Sequence, residues 1–320
     1  MLVVLPPVHK LGARPYHQCR LIFSLSDSRN REMRFLSRIL AAVVLIILSC
    51  MLQASTCHSG GMTVEVPLPD GDSLPGLTFS PGQTVANPWP AVLVAANAGG
   101  KKLIQYHTYC QKLSERGFVV LLLDASGYPE WLTPGPDTWR QMPYHLWAWV
   151  NHLSVVARLT AGPEWYLRNM DSGVNFLRNH PRINSKKIAI SAFSQSANIA
   201  LMYATGPEKI AGLIWNNGGS PWIQPYDPKR LPPTAIFHGE ADGVYNVKYA
   251  KKLESELRDA NADVECHIYP GERHMFNVYY DLEQTGQAIS PAIRESFEKL
   301  VAFLSRTLMN KSEIITSPAR

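Results

Sequence analysis

From about residue 90 onward, short apolar runs alternate with longer stretches of helical periodicity. Residues 91–95 and 119–123 are unbroken apolar runs, the pattern of strands buried on both faces. Between them, residues 101–115 place apolar side chains at helical spacing and stop before Gly117, a residue suited to the left-handed turn after a helix. The alternation continues to a final helical stretch over about 291–308. It predicts an α/β protein with a mostly parallel, doubly wound sheet covered on both faces. Ahead of it, residues 61–88 alternate polar and apolar, with turns at Pro69-Asp70-Gly71 and Pro81-Gly82. That pattern predicts a leading antiparallel hairpin.

One stretch breaks the rhythm. Residues 125–162 are too long for an ordinary strand-to-helix connection of a few residues. They carry Trp131, Trp139, Trp147 and Trp149, with Tyr128 and Tyr144, and Trp165 follows shortly after. The stretch leaves the C-terminal end of a strand, where parallel sheets bind ligands. It is expected to form a cap-like insertion whose four tryptophans are candidates to line a substrate pocket. A small satellite core of aromatics is the other reading, and the two are compatible.

The pattern also places chemistry. In Ile188-Ala189-Ile190-Ser191-Ala192-Phe193-Ser194-Gln195-Ser196-Ala197 an apolar strand runs straight into a serine, then into a helix. A nucleophile elbow turns so tightly that the residues two before and two after the nucleophile must be small, usually glycine. Here they are Ala192 and Ser196. Centring the turn on Ser191 or Ser196 instead would put Phe193 or Asn198 at a crowded position. A strand followed by an N-capped helix is the plainer reading of the same residues.

Two later segments complete a set. The run Thr234-Ala235-Ile236-Phe237-His238-Gly239-Glu240-Ala241-Asp242 is a strand ending in a turn that carries an acid. The run Val264-Glu265-Cys266-His267-Ile268-Tyr269-Pro270-Gly271-Glu272-Arg273-His274 is a strand ending in a Pro-Gly turn that leads to a histidine. Serine needs a base to accept its proton, and the base needs an acid to fix its tautomer. Ser194, His274 and Asp242 can supply these roles, with one nitrogen of His274 facing Asp242 and the other facing Ser194. The developing oxyanion would need two backbone donors: the N–H of Gln195, and one from Asn97-Ala98-Gly99-Gly100, where Ala98 and then Gly99 are the candidates. Asp124 ends a strand but precedes the serine. His238 and His267 lie in strands and read as structural. Glu272 and Arg273 read as solvated loop charges, and Asp171 as a helix-surface residue.

The order Ser, Asp, His, with acid and base each just beyond a strand, resembles the α/β-hydrolases. Within them, Phe237-His238-Gly239-Glu240-Ala241-Asp242 and Tyr269-Pro270-Gly271-x-x-His274 resemble the acid and histidine loops of the dienelactone hydrolase-like group. The resemblance covers about residues 90–308. It implies a serine hydrolase of the α/β-hydrolase fold that cleaves a carboxylic ester or related acyl bond through an acyl-enzyme, on a small-molecule or polymeric substrate, with no metal or other cofactor. Serine stands where the name-giving enzymes use cysteine, which points away from dienelactone itself as substrate. Prolyl-peptidase catalytic domains look similar, and a non-catalytic binding protein of the same fold would also fit the missing elbow glycines.

Charge changes the picture at one end only. The net charge is +5, but the first 38 residues hold seven of the 31 basic and two of the 26 acidic residues, leaving 24 of each sign. A formally neutral domain gives no support to a nucleic-acid partner. The apolar run over 39–48 follows Arg34 and Arg38, and its length suits a signal peptide better than a bilayer span of about 20 residues. Met33 would begin a signal peptide of ordinary form. Ile47-Leu48-Ser49-Cys50 approximates a lipoprotein box, with cleavage near residues 54–56 as the competitor and an uncleaved anchor as the third reading. Each places the catalytic domain outside the cytoplasm, periplasmic or secreted, with the membrane engaged only by the leader or by a lipid at Cys50. The expected organisation is a leader and signal peptide over 1–57, a hydrolase domain over 58–309 and a frayed tail over 310–320. Five cysteines, at 19, 50, 57, 110 and 266, show no C-x-x-C spacing for zinc. Cys110 and Cys266 are expected as free thiols, with a disulfide between Cys57, Cys110 or Cys266 as the alternative.

Overall fold

The computed structural model describes residues 61–81, 88–96, 104–123, 164–219, 226–278 and 290–309. All of them fall within one compact unit, Ser59–Arg320. The leader over 1–57, the tryptophan-rich insertion over 125–162 and the tail over 310–320 lie outside the described residues, as does Asp124.

Strands β1 (Met62–Pro67) and β2 (Ser73–Phe79) form the expected leading hairpin, paired antiparallel with Val66 opposite Leu74. The turn between them closes through Leu68 N–H to Asp72 O, with Gly71 at φ 92°. Then β3 (Trp89–Ala95), β4 (Val119–Leu123), β5 (Ile183–Phe193), β6 (Gly212–Asn216), β7 (Thr234–Gly239) and β8 (Val264–Tyr269) run parallel to one another. The eight strands form one sheet in the order β1-β2-β4-β3-β5-β6-β7-β8. Because β4 lies on one side of β3 and β5 on the other, the order reverses there, and open α/β sheets bind ligands at the C-terminal ends of strands at such a reversal. Strand β5 starts earlier than its apolar run: Ile183 pairs with Trp89 ahead of a register shift, and only the second half is continuously buried.

The period-two alternation of side chains divides the core in two. From β3, Ala91, Leu93 and Ala95 enter one cluster and Val92 and Val94 the other. On the first face lie α2 (Glu164–Arg178), α3 (Gln195–Ala204) and α4 (Lys248–Asp259); on the second lie α1 (Ile104–Glu115) and α5 (Pro291–Leu308). Helix α5 starts at Pro291, as the final helical stretch of the sequence predicts, and the structure shows its cap: Ser290 Oγ accepts from Ile293 N–H at 3.3 Å, and Pro291 occupies the first turn. Helix α1 ends before Gly117, whose φ is 96°.

Two side chains expected at the surface are tied into the fold instead. Asp171 is half-buried, because its side of α2 faces α3; it accepts from Tyr203 Oη and from Asn175 Nδ2, each at 2.9 Å. Glu272 accepts from Ser290 Oγ at 2.9 Å and so links the loop after β8 to the cap of α5, whereas Arg273 is exposed as expected.

The end of β7 fits closely against that same loop. A Cβ on Gly239 would stand 2.4 Å from the carbonyl oxygen of Glu272 and 2.7 Å from that of Arg273. Both are backbone atoms that no side-chain rotation can move. Gly239→Ala is therefore expected to cost about 3 kcal/mol or more, the upper range for overpacking, read from urea denaturation. A loss within about 0.5 kcal/mol, the scale of an ordinary surface substitution, would show that the two loops separate freely.

His238 is fully buried, as its place in a strand suggests. Its ring stacks on Trp215, with centroids 5.9 Å apart and planes 22° apart, and its Nε2 lies 2.9 Å from the Tyr245 carbonyl oxygen. Burial lowers its pKa below the usual 6.5. The unfolded chain thus takes up this proton first, and stability falls as pH drops from about 6.5 through the lower folded value. In His238→Gln the amide nitrogen can still reach the Tyr245 carbonyl but does not titrate. That variant should lose less stability than the parent between about pH 7 and about pH 5. Parallel pH profiles would assign the loss to other groups.

Candidate active site

The parallel strands bring Ser194, Asp242 and His274 to one rim. Ser194 is the single residue between the end of β5 at Phe193 and the start of α3 at Gln195. Its backbone sits at φ 54°, ψ −123°, outside the regions L-residues prefer, and its N–H donates to the Asn216 carbonyl at 2.9 Å. So sharp a turn leaves no room at its flanks. Ala192 is fully buried in β5, and Ser196 is buried with its hydroxyl donating to the Ala96 carbonyl at the end of β3. The Ser194 side chain makes no capping bond to α3. Its Oγ instead lies 3.0 Å from His274 Nε2, so the plainer reading of an N-capped helix does not describe this serine.

Asp242 follows β7 in a turn closed by its own N–H to Gly239 O at 3.2 Å and by Ala241 N–H to Glu272 O at 2.9 Å. Its Oδ1 accepts from the N–H groups of Val244 and Tyr245, both at 2.8 Å. Its Oδ2 accepts from His274 Nδ1 at 2.7 Å. Three donors therefore converge on a carboxylate whose side chain is fully buried. With the Nδ1 proton given to Asp242, the Nε2 lone pair of His274 is left facing the Ser194 hydroxyl. The Tyr245 ring packs edge-on to the imidazole, 5.6 Å between centroids at 76°. The His274 side chain is 11% exposed, whereas that of Asp242 has no exposure.

Backbone strain gathers at this rim. Of the described non-glycine residues at positive φ, Ser194, Asn217 and Met275 border the site, at 54°, 46° and 63°. Such conformations cost of order 1–3 kcal/mol each and persist where the surroundings over-determine them.

The remaining candidates divide plainly. Gln195 opens α3, and the first amides of a helix have no acceptor within it, so its N–H is available beside Ser194. Ala98 and Gly99 lie outside the described residues, as do Trp131, Trp139, Trp147 and Trp149. His267 is half-buried beside Glu265, its Nε2 3.4 Å from Oε2, away from the serine. Cys110 and Cys266 carry free thiols. Burial pushes both thiols up, that of Cys266 to about 12, so neither forms a ready thiolate. Among the described residues no three His, Cys, Asp or Glu side chains come together as a metal site. Sequence patterns alone do not single out Asn216, Asn217 and Asn277, three buried asparagines behind the site, because asparagine at a strand end or in a loop reads as a turn residue.

With this geometry in view, comparison with known proteins is informative. The model of the dienelactone hydrolase family matches residues 74–308. A Yersinia pestis protein bearing the name carboxymethylenebutenolidase is 25% identical over 241 residues, covering 72% of this chain and 82% of that protein. Among solved structures, a dienelactone hydrolase-like promiscuous phosphotriesterase from metagenomic libraries superposes with a TM-score of 0.59 at 17% identity, covering 77% of this chain and 98% of its own. Propionate-bound esterase 2 of Thermogutta terrifontis superposes with a TM-score of 0.55 at 16% identity, covering 82% and 96%. At such identities the two structures speak for the fold, whereas the family match spans most of the chain. The chain belongs to the dienelactone hydrolase family, and it is a hydrolase of the carboxylic ester class with the α/β-hydrolase fold.

Proposed function

We propose that this protein is an exported serine esterase in which Ser194 is the nucleophile, His274 the general base and acid, and Asp242 the residue that orients the histidine. The observation that carries the reading is the continuous hydrogen-bond chain from Ser194 Oγ through the two ring nitrogens of His274 to Asp242, at 3.0 and 2.7 Å.

The chemistry follows from that chain. As Ser194 Oγ attacks the ester carbonyl carbon, its proton moves to His274 Nε2, and the imidazolium is stabilised by the Asp242 carboxylate. The carbonyl oxygen becomes an oxyanion that the Gln195 N–H can meet; the second donor is assigned on sequence to Ala98, with Gly99 beside it. His274 then returns the proton to the departing alkoxide, leaving an acyl group on Ser194. Water attacks that acyl-enzyme with His274 again as base, and the acid leaves. The neutral domain and the aromatic residues of 125–162 favour an uncharged, apolar or aromatic acyl group. The apolar run over 39–48 behind Arg34 and Arg38 supports export, with lipidation at Cys50 as its more specific form.

Ser194→Ala should fold with an unchanged melting curve, lose reaction with a fluorophosphonate probe, and hydrolyse aryl acetates at least about 10³-fold more slowly. Labelling that persists, or that moves to Ser196, would overturn the assignment. In the parent, a panel of esters of graded acyl length then defines the pocket. Rates that rise from acetate to longer or aromatic acyl groups would agree with an apolar pocket, and a preference for charged acyl groups would contradict it.

A further inference from the structure

The three reactive side chains sit on loops after β5, β7 and β8, yet β6 lies between β5 and β7 and carries none of them. What the end of β6 carries is Asn216 and Asn217, both with no exposure. Asn216 uses its backbone carbonyl to hold the Ser194 N–H at 2.9 Å, and Asn217 gives its own N–H to Phe237 O at 2.8 Å. Their side chains join through a third amide, Asn277, which is 3% exposed and lies three residues after His274.

The amides form one chain with a single polarity. Gly239 N–H donates to Asn217 Oδ1 at 3.1 Å. Asn217 Nδ2 donates to Asn277 Oδ1 at 2.9 Å, and Asn277 Nδ2 to Asn216 Oδ1 at 2.7 Å. Asn216 Nδ2 ends on the Ala192 carbonyl at 3.1 Å and on Ser191 Oγ at 3.2 Å. The first donor and the last carbonyl acceptor are backbone groups, so their polarity is fixed. Every amide between them must point the same way, and flipping one would face oxygen to oxygen or nitrogen to nitrogen. None of the three side chains leaves a buried polar atom unpaired. The chain begins at Gly239, three residues before Asp242, and ends at Ala192, two residues before Ser194. Its middle member is fixed to the His274 loop.

We propose that Asn277 is a positioning residue for the hydrolytic reaction. By bonding both asparagines at the end of β6, it holds the His274 loop in register with the nucleophile turn and the acid turn at once. It acts through His274 and does not touch substrate; the inference rests on the proposed Ser194–His274–Asp242 reading. A small displacement is sufficient for a large effect, since about 1 Å of misplacement of a reacting group can cost about 10²-fold in rate.

The test is Asn277→Ala, compared with the parent and with Ser194→Ala on one aryl acetate. It is assayed at a temperature where its circular dichroism shows it folded. The inference expects kcat to fall about 10- to 100-fold with KM within about threefold, and fluorophosphonate labelling of Ser194 to slow by a similar factor. A folded variant whose kcat and labelling rate stay within about twofold of the parent overturns it, because a purely structural amide would change the melting temperature alone. If Asn277→Ala does not fold, Asn217→Gly takes its place under the same criteria. It removes the bonds to Gly239 N–H and Asn277 while leaving the left-handed backbone accessible. Activity retained by Ser194→Ala would fault the nucleophile assignment; activity lost by Ser194→Ala but kept by the asparagine variants faults this inference alone.

Discussion

The structure turns on one residue held where serine does not choose to be. Ser194 bridges strand and helix alone at φ 54°, and the N–H bond to Asn216 O holds the turn in place. This geometry lifts the hydroxyl off the helix it would otherwise cap and gives it to His274. It also dictates what surrounds it. Ala192 and Ser196 must be small, β6 must end level with β5, and the His274 loop must come over from β8. The strain is repaid by the packing of the central strands, whose apolar residues fill the two faces of the sheet.

Replacing the second elbow glycine by Ser196 has a visible consequence. A glycine would leave the Ala96 carbonyl without this partner, whereas Ser196 Oγ donates to it and joins α3 to the end of β3. That end leads into residues 97–100, the segment from which the second oxyanion donor is expected. A departure that on sequence weakens the elbow pattern thus becomes a contact between the elbow helix and the end of β3.

Much of this was legible in the chain because burial writes itself into periodicity. The runs over 91–95 and 119–123 read as strands covered on both faces, and helical spacing places α5 over about 291–308. Ser194, Asp242 and His274 could be placed because each follows a strand, and parallel strands share a rim. The asparagine chain could not. Its members are far apart in sequence, and their value lies in bonds between strands that become neighbours only once the sheet order is known. Asp171 departs from its expected surface place for a related reason: helical periodicity shows which side of α2 faces the sheet but not which neighbouring helix lies beside it. The close approach of Gly239 to the Glu272 backbone is likewise a property of two loops meeting.

The central claim is that an acyl group passes through Ser194. The most direct measurement is to mix the protein with excess of an activated aryl ester, quench with acid on the millisecond scale, and map the digested protein by mass spectrometry. The account predicts a burst of released phenol matching the protein concentration, with the mass of one acyl group on the peptide containing Ser194, removed on longer incubation. Turnover without any acylated peptide, or an acyl group on another residue that clears at the turnover rate, would contradict it.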